Sequence, residues 1–171
     1  VGGVHLLTLC RLGIGRFHVA DLDRFELENF NRQVGANLHT INSSKVEVLA
    51  ESALAINPEL DLVRFEQGVN SANIDDFLKD VDVYVDGLDA FALDIRREVF
   101  AACERKGIPA ITVAPVGMGA ALLVFMPGQM SFEEYFGLSG RPSVEQFARF
   151  ILGVSPARLQ MAALVDRTRV D

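Results

Sequence analysis

The residues best suited to chemistry in this 171-residue chain lie in one polar run near its start. An apolar segment leads into this run, whose polar members include Asp21, Asp23, Asn29, Arg32 and Gln33. Carboxylates, amides and a guanidinium gathered in one loop can hydrogen-bond hydroxyl groups and bind phosphates. The run therefore predicts a loop that handles a polar ligand.

The segment before this loop, residues 16–20, alternates its side chains with a period of two around a β-branched centre. This pattern predicts a buried strand, and Asp21 then closes its carboxyl end. Ligands of open parallel α/β sheets bind at such strand ends, where an acidic residue typically binds the hydroxyls of a ribose. The position of Asp21 therefore favours nucleotide binding.

Further charged residues stand at two other element boundaries. Lys45 follows two serines that are suited to cap a helix, which places the lysine in the first helical turn. Residues 81–86 alternate as another strand, and a polar strand end follows from Asp86 to Asp89. If the strands before Asp21 and Asp89 are neighbours, these two carboxylates flank one crevice.

The elements that must position these residues alternate between strand and helix, which predicts a doubly wound, mostly parallel α/β sheet. Predicted helices cover residues 4–12, 45 to the Asn57–Pro58 stop, a short stretch from 73, and 91–106; predicted strands cover residues 16–20, 60–65, 81–86, 108–113 and 120–125. After residue 128 the pattern changes to helical segments at 131–136 and 143–152. We therefore expect a nucleotide-binding domain over residues 1–128 and a helical tail or lid over residues 129–171.

Composition narrows the classes of protein. The formal net charge of −7 argues against a partner that is nucleic acid or an anionic membrane surface, and no apolar run reaches the roughly 20 residues that a membrane span requires. Cys10 and Cys103 lie far apart in apolar helical patterns, so we expect buried, reduced thiols and a cytoplasmic protein. Because the chain starts with Val1 rather than Met, we expect a fragment or processed product.

Taken in order, several separated motifs resemble the ThiF/MoeB/ubiquitin-activating-enzyme superfamily over residues 1–128. They are Gly2 before an apolar helix, Gly13 and Gly15, Asp21 to Asp23, Asn29 to Gln33, Lys45, Ile56 to Pro58, and Asp86 to Asp89. The resemblance implies a Rossmann-like fold and an adenylyltransferase that uses ATP and Mg²⁺ to adenylate a carboxylate. The substrate implied is the C-terminal glycine of a ubiquitin-like or sulfur-carrier protein, or a small carboxylate, with pyrophosphate released. The resemblance also implies a homodimer.

The resemblance assigns roles to the polar loop. Asp21 is matched to the ribose-binding acid, and Asn29 and Arg32 are matched to residues that meet the phosphates. Gln33 supports this loop. Gly2 is matched to the last glycine of a phosphate-binding loop, whose earlier part and preceding strand we expect before the present start of the chain.

Catalytic roles fall on three charged residues. Lys45 is matched to a lysine that reaches the phosphates, and Asp89 to a carboxylate that positions Mg²⁺, a cation that prefers hard oxygen ligands. Arg32, Lys45 and the metal at Asp89 would neutralise phosphate charge, while the substrate carboxylate needs no general base. Asp23 and Asp86 are interpreted as carboxylates that order their loops.

The chain also departs from the superfamily pattern. Ala90 stands where an asparagine usually follows the acid matched by Asp89. Two cysteines cannot form the paired CxxC zinc site of many members, so no zinc is expected. No cysteine follows Cys103, so the thioester step of full ubiquitin-activating enzymes has no visible nucleophile.

Two alternatives remain open. Ala90 and the shortened glycine loop suit a non-catalytic partner that keeps the fold. An NAD- or FAD-dependent oxidoreductase would also use a glycine turn and Asp21, although hydride transfer needs no phosphate-binding Arg32 and Lys45. His5 and His18 are interpreted as packed or hydrogen-bonded residues.

Overall fold

The computed structural model describes residues 2–116 and 119–155, with the side chain of Val116 left aside. These residues belong to two compact units, Val1–Lys79 and Asp80–Asp171. The helices are α1 (Gly2–Arg11), α2 (Lys45–Ile56), α3 (Ile74–Phe77), α4 (Leu93–Lys106), α5 (Phe132–Phe136) and α6 (Ser143–Gly153). The strands are β1 (Arg16–Ala20), β2 (Asp61–Phe65), β3 (Tyr84–Asp86), β4 (Ala110–Val116) and β5 (Gly119–Phe125). No described helix is both long enough and apolar enough to cross a membrane.

The first unit pairs β1 with β2 in parallel, with Phe17 opposite Leu62. The strand at residues 16–20 is confirmed, but the prediction that it is buried is wrong, because Arg16 is exposed and the other four residues are only half-buried. In the part of the chain that the structure describes, β1 has a single strand neighbour, β2. A strand with one neighbour leaves more of its side-chain surface open than a central strand does.

Helices α1 and α2 both contribute to the core of the first unit. Leu6 and Cys10 of α1 form a buried cluster with Ala53 of α2 and Leu60 ahead of β2. Gly3 lets α1 pack closely against the Val34 side chain, since a Cβ at this position would lie 2.8 Å from Val34 Cγ1.

Local signals set both ends of α2. The Ser44 hydroxyl accepts the Glu47 N–H at 3.5 Å, and the helix ends at Ile56, with Asn57 as its C-cap directly before a proline. Each end was predicted from capping chemistry and from the restriction that proline imposes on the residue before it.

The second unit pairs β3 with β4 in parallel and β4 with β5 antiparallel. The predicted strand over residues 81–86 is too long, because β3 contains only Tyr84–Asp86. The Tyr84 N–H donates a hydrogen bond to the Pro109 carbonyl at 2.9 Å, and the parallel register begins with Tyr84 opposite Ala110. Residues 81–83 precede this register and therefore have no ladder within the described chain.

The predicted helices after residue 128 are present as α5 and α6. Their aromatic side chains pack into the interior of the second unit, where Phe150 of α6 lies 5.2 Å from Phe136 and 6.3 Å from Phe132, measured between ring centroids. Residues 156–171 of the predicted tail, and the predicted bend at 117–118, lie outside the described residues. The boundary at residue 128 stays a prediction.

Candidate functional site

The acidic turn after β1 is built around Asp21. Its Oδ1 accepts the Asp23 N–H at 2.9 Å, an Asx-type turn that orients the carboxylate at the strand end. Burial raises the pKa of Asp21 above its ordinary value, although the Asp23 amide and the charge of Lys45 oppose that shift. Within the described chain, Oδ2 of Asp21 accepts no hydrogen bond. Asp21 thus keeps an acceptor available at the strand end.

Lys45 is joined to the same turn by two bonds. Its backbone N–H donates to the Asp23 carbonyl at 3.0 Å, and its Nζ lies 3.0 Å from Asp23 Oδ2. The lysine is buried, with 7% of its surface exposed, whereas the Asp23 side chain is 59% exposed. The interpretation of Asp23 as a loop-ordering residue is confirmed by this geometry. The predicted contact of Lys45 with phosphate stays a prediction.

The loop after the acidic turn contains a short 3-10 helix, Leu27–Asn29. Asn29 is buried, and its side-chain oxygen accepts the Glu26 N–H at 3.1 Å, so this side chain shapes the loop. Its carbonyl accepts the Gln33 N–H at 2.8 Å. This contact fits the supporting role predicted for Gln33. The phosphate contact predicted for Asn29 stays a prediction, and it would have to be made by the side-chain amide nitrogen, because the side-chain oxygen already accepts the Glu26 N–H.

Arg32 is exposed, in contrast to Asn29. One terminal nitrogen, Nη1, donates to the Glu28 carbonyl at 2.7 Å and to the Asn31 side chain at 2.9 Å. The guanidinium has five donors, so donors remain for an anion. Gly2 is also exposed and begins α1, whose first amides lack partners within the helix.

The second acidic loop contains one buried and one exposed carboxylate. Asp86 is 4% exposed, and its Oδ2 accepts Arg96 Nε at 2.8 Å and the Thr112 hydroxyl at 2.8 Å. Its Oδ1 accepts the Leu88 N–H at 3.0 Å. The interpretation of Asp86 as a loop-ordering carboxylate is confirmed, because all of these bonds are internal.

Asp89, in contrast to Asp86, is exposed. Its Oδ1 accepts the Phe91 N–H at 2.9 Å, and its carbonyl accepts the Ala92 N–H at 3.0 Å at the start of α4. No cation of the described chain pairs with its carboxylate. Asp89 therefore presents a charged oxygen on a turn whose backbone is hydrogen-bonded.

Arg96 is the member of this site that sequence reasoning missed. It lies three residues after Leu93 and three before Val99, both on the buried face of α4. A charged residue on an apolar helix face signals a buried partner, and that signal could have found the pair with Asp86. Thr112 carries no such signal, because threonine is common in strands.

The structure thus assembles two groups of predicted residues. Asp21, Asp23 and Lys45 are connected in the first unit, and Asp86 and Asp89 share a loop in the second. The described residues contain no cluster of three or more His, Cys, Asp or Glu side chains that could hold a metal by itself. Mg²⁺ is usually bound by one or two carboxylates together with substrate phosphates and waters, so the Mg²⁺ contact predicted for Asp89 needs no such cluster and stays a prediction.

The histidines and cysteines lie in packed positions. His18 Nδ1 is 2.7 Å from the Phe77 carbonyl, which confirms its interpretation as a hydrogen-bonded residue. Cys10 and Cys103 are buried and unpaired, as predicted. Burial raises the pKa of Cys103 to about 12, so its thiol is protonated and unreactive at neutral pH.

Parallel strands that end in polar loops, with helices between them, define this protein as a Rossmann-like α/β protein. Residues 1–165 match the ThiF family, and the chain belongs to that family. The predicted resemblance and fold class are therefore confirmed.

Relatives with curated names add detail. The chain is 31% identical over 121 residues to the sulfur carrier protein ThiS adenylyltransferase of Escherichia coli, which covers 71% of this chain and 47% of that protein. It is also 31% identical over 118 residues to the tRNA threonylcarbamoyladenosine dehydratase of Haemophilus influenzae, covering 68% of this chain and 44% of that protein. The chain thus spans about half the length of these relatives.

Solved structures agree on the fold. The E. coli tRNA N6-threonylcarbamoyladenosine dehydratase in complex with ATP superposes with a TM-score of 0.64 at 28% identity, covering 70% of this chain and 49% of that chain. E. coli MccB with succinimide superposes with a TM-score of 0.68 over 90% of this chain and 50% of that chain. The identity to MccB is 20%, and this likeness supports the fold alone.

Proposed function

We propose that this protein binds ATP and adenylates a carboxylate, releasing pyrophosphate. The observation that carries the proposal is an exposed carboxylate, Asp89, on a hydrogen-bonded turn in a chain of the ThiF family. Support comes from two relatives, since one is named an adenylyltransferase and another was solved in complex with ATP.

The proposed roles in the first unit follow from donors and acceptors. Asp21 binds the ribose hydroxyls, because its Oδ2 is an acceptor without a donor in the described chain. Arg32 binds phosphate through its remaining donors, and Lys45 contributes a point charge from the first turn of α2. Asn29, Gln33 and Gly2 line the same nucleotide site.

The proposed chemistry is an in-line substitution at the α-phosphorus of ATP. A carboxylate oxygen of the substrate forms a bond to that phosphorus while the bond to the bridging oxygen of pyrophosphate breaks. Carboxylates are ionised at neutral pH, so the site needs no general base. Arg32 and Lys45 would act by orienting the phosphates and stabilising their charge.

Asp89 would hold Mg²⁺ together with the phosphates of the bound nucleotide. When bound, the metal supplies charge neutralisation at the phosphate oxygens. Asp89 itself contributes position, because its Oδ1 is oriented by the Phe91 N–H and the residue is exposed.

The proposed substrate is the C-terminal glycine of a ubiquitin-like or sulfur-carrier protein, with a small carboxylate as the second candidate. The relative named for the sulfur carrier ThiS supports the first choice. We further propose that the protein works as a cytoplasmic homodimer, as its resemblance to the superfamily implies.

The proposal is tested by ATP–pyrophosphate exchange on the full-length protein with Mg²⁺ and a panel of carrier proteins ending in glycine. Asp89→Asn is the test variant, and Asp82→Asn is its control because Asp82 is an exposed carboxylate ahead of β3. We expect exchange that falls at least about a hundredfold in Asp89→Asn and persists in Asp82→Asn.

Other outcomes separate the alternatives. Exchange that persists undiminished in Asp89→Asn would contradict the role of this residue. If no carrier supports exchange but calorimetry detects ATP binding, the small-carboxylate substrate gains support. Absence of both exchange and ATP binding would favour a non-catalytic partner that keeps the fold.

A further inference from the structure

Arg96 occupies the centre of a buried polar network in the second unit. The residue is 2% exposed, and its Nε pairs with Asp86 Oδ2 at 2.8 Å. Its Nη2 donates to two successive carbonyls, that of Leu88 at 2.6 Å and that of Asp89 at 3.1 Å. One guanidinium therefore connects the end of β3, the first turn of the following loop and helix α4.

Arg96 restrains the backbone of Asp89 through a hydrogen bond to its carbonyl. Its carbonyl accepts from both Arg96 and the Ala92 N–H, and its side chain accepts from the Phe91 N–H at 2.9 Å. A planar guanidinium with fixed donor directions sets the distance between the Asp86 carboxylate and these carbonyls. The direction of the Asp89 carboxylate thus depends on a residue that its own side chain does not touch.

Helix α6 holds the guanidinium in place. The Arg96 Cζ lies 4.7 Å from the centroid of the Phe150 ring, a cation–π distance. The Phe147 ring of the same helix stacks on Phe91 at 5.2 Å, with the two planes 8° apart. Two aromatic residues of α6 therefore contact the elements that orient Asp89.

We propose that Arg96 is a positioning residue for Asp89 and that Phe150 sets the plane of its guanidinium. The catalytic part of this inference rests on the proposed function, since it matters for the reaction only if Asp89 acts at the phosphates. Arg96→Lys would keep the positive charge but not the planar set of guanidinium donors. One ammonium cannot replace the hydrogen bonds to Asp86 Oδ2 and to both carbonyls at once.

The structural part is tested by amide hydrogen exchange, read residue by residue by NMR, on Arg96→Lys. The matched control is Arg97→Lys, which changes the neighbouring arginine of α4, whose partners are Glu133 and Gln146. We expect the Phe91 and Ala92 amides to exchange about tenfold faster in Arg96→Lys, with little change in the control.

The functional part is tested by the Mg²⁺ dependence of ATP–pyrophosphate exchange in the same variants. We expect the Mg²⁺ concentration for half-maximal exchange to rise about tenfold in Arg96→Lys, while the KM for ATP stays within about twofold of wild type. Phe150→Leu keeps the apolar packing without the ring, and should shift the Mg²⁺ midpoint in the same direction by a smaller factor. A merely stabilising arginine would lower the yield of folded protein without moving this midpoint.

Wild-type amide exchange rates together with a wild-type Mg²⁺ midpoint in Arg96→Lys would overturn the proposal. Equal effects in Arg96→Lys and Arg97→Lys would also overturn it, because they would indicate a general weakening of α4. If the wild-type protein shows no pyrophosphate exchange, the proposed function fails, and the amide exchange of Phe91 and Ala92 still decides whether Arg96 positions Asp89.

Discussion

The burial of Lys45 allows its structural and proposed catalytic roles to be separated by one substitution, Lys45→Met. Methionine keeps an unbranched apolar stem of similar length, so the packing of the first turn of α2 is preserved. The backbone bond from the residue 45 N–H to the Asp23 carbonyl, 3.0 Å long, does not depend on the side chain. The substitution therefore removes the ammonium and little else.

The expected loss of stability is small. The partner carboxylate of Asp23 is 59% exposed, and pairs with one solvated member contribute about 0.2–1 kcal/mol. Removing a buried ammonium also removes its desolvation cost, which offsets part of that loss. We expect the free energy of unfolding of Lys45→Met, measured in urea, to lie within about 1 kcal/mol of wild type.

The expected loss of activity is much larger. If Lys45 stabilises charge on the reacting phosphates, its removal resembles deletion of one preorganised donor, which costs about a hundredfold or more in rate. ATP–pyrophosphate exchange should therefore fall about a hundredfold in Lys45→Met while the protein stays folded.

Asp23→Asn is the matched control, because it removes the same ion pair from the other side and leaves Lys45 in place. Its exchange rate should stay within roughly fivefold of wild type, the equivalent of about 1 kcal/mol. The reasoning would be refuted if Lys45→Met exchanged pyrophosphate at the wild-type rate, or if the two variants lost activity equally. In the first case Lys45 would have no role in the reaction, and in the second it would act only through its ion pair with Asp23.

Two further predictions concern stability. Burial raises the pKa of Asp21 above its usual value near 3.8, so the folded state binds more protons than the unfolded state just above that pH. The free energy of unfolding therefore falls as pH rises through this window. Urea unfolding between pH 3 and 6 should show Asp21→Asn gaining stability relative to wild type across the same window, and a constant difference would contradict the burial argument. Leu138 is fully buried between α5 and α6, so Leu138→Ala should cost about 2–5 kcal/mol, whereas Val144→Ala, at an 84% exposed site, should cost less than about 0.5 kcal/mol. Similar midpoints in thermal melts of these two variants would mean that the segment after residue 128 contributes little to the fold.

Much of the fold could be predicted because its signals are local. Strand β1 was predicted with the bounds that the structure shows, and the end of α4 was predicted from Gly107, which takes a positive φ of 72°. Such signals depend on sterics and capping within a few residues. The shortened β3 could not be predicted in this way, because its length depends on where the partner strand β4 begins.

The sequence by itself determined the order of the elements and which residues could do chemistry, since both depend on residue type and short-range spacing. It placed Asp86 and Asp89 three positions apart, as two aspartates at the polar end of the same predicted strand. Only the tertiary structure decided that Asp86 is 4% exposed and bonded to Arg96 and Thr112, whereas Asp89 faces solvent. The physical reason is that the cost of burying a carboxylate depends on donors brought to it from distant parts of the chain.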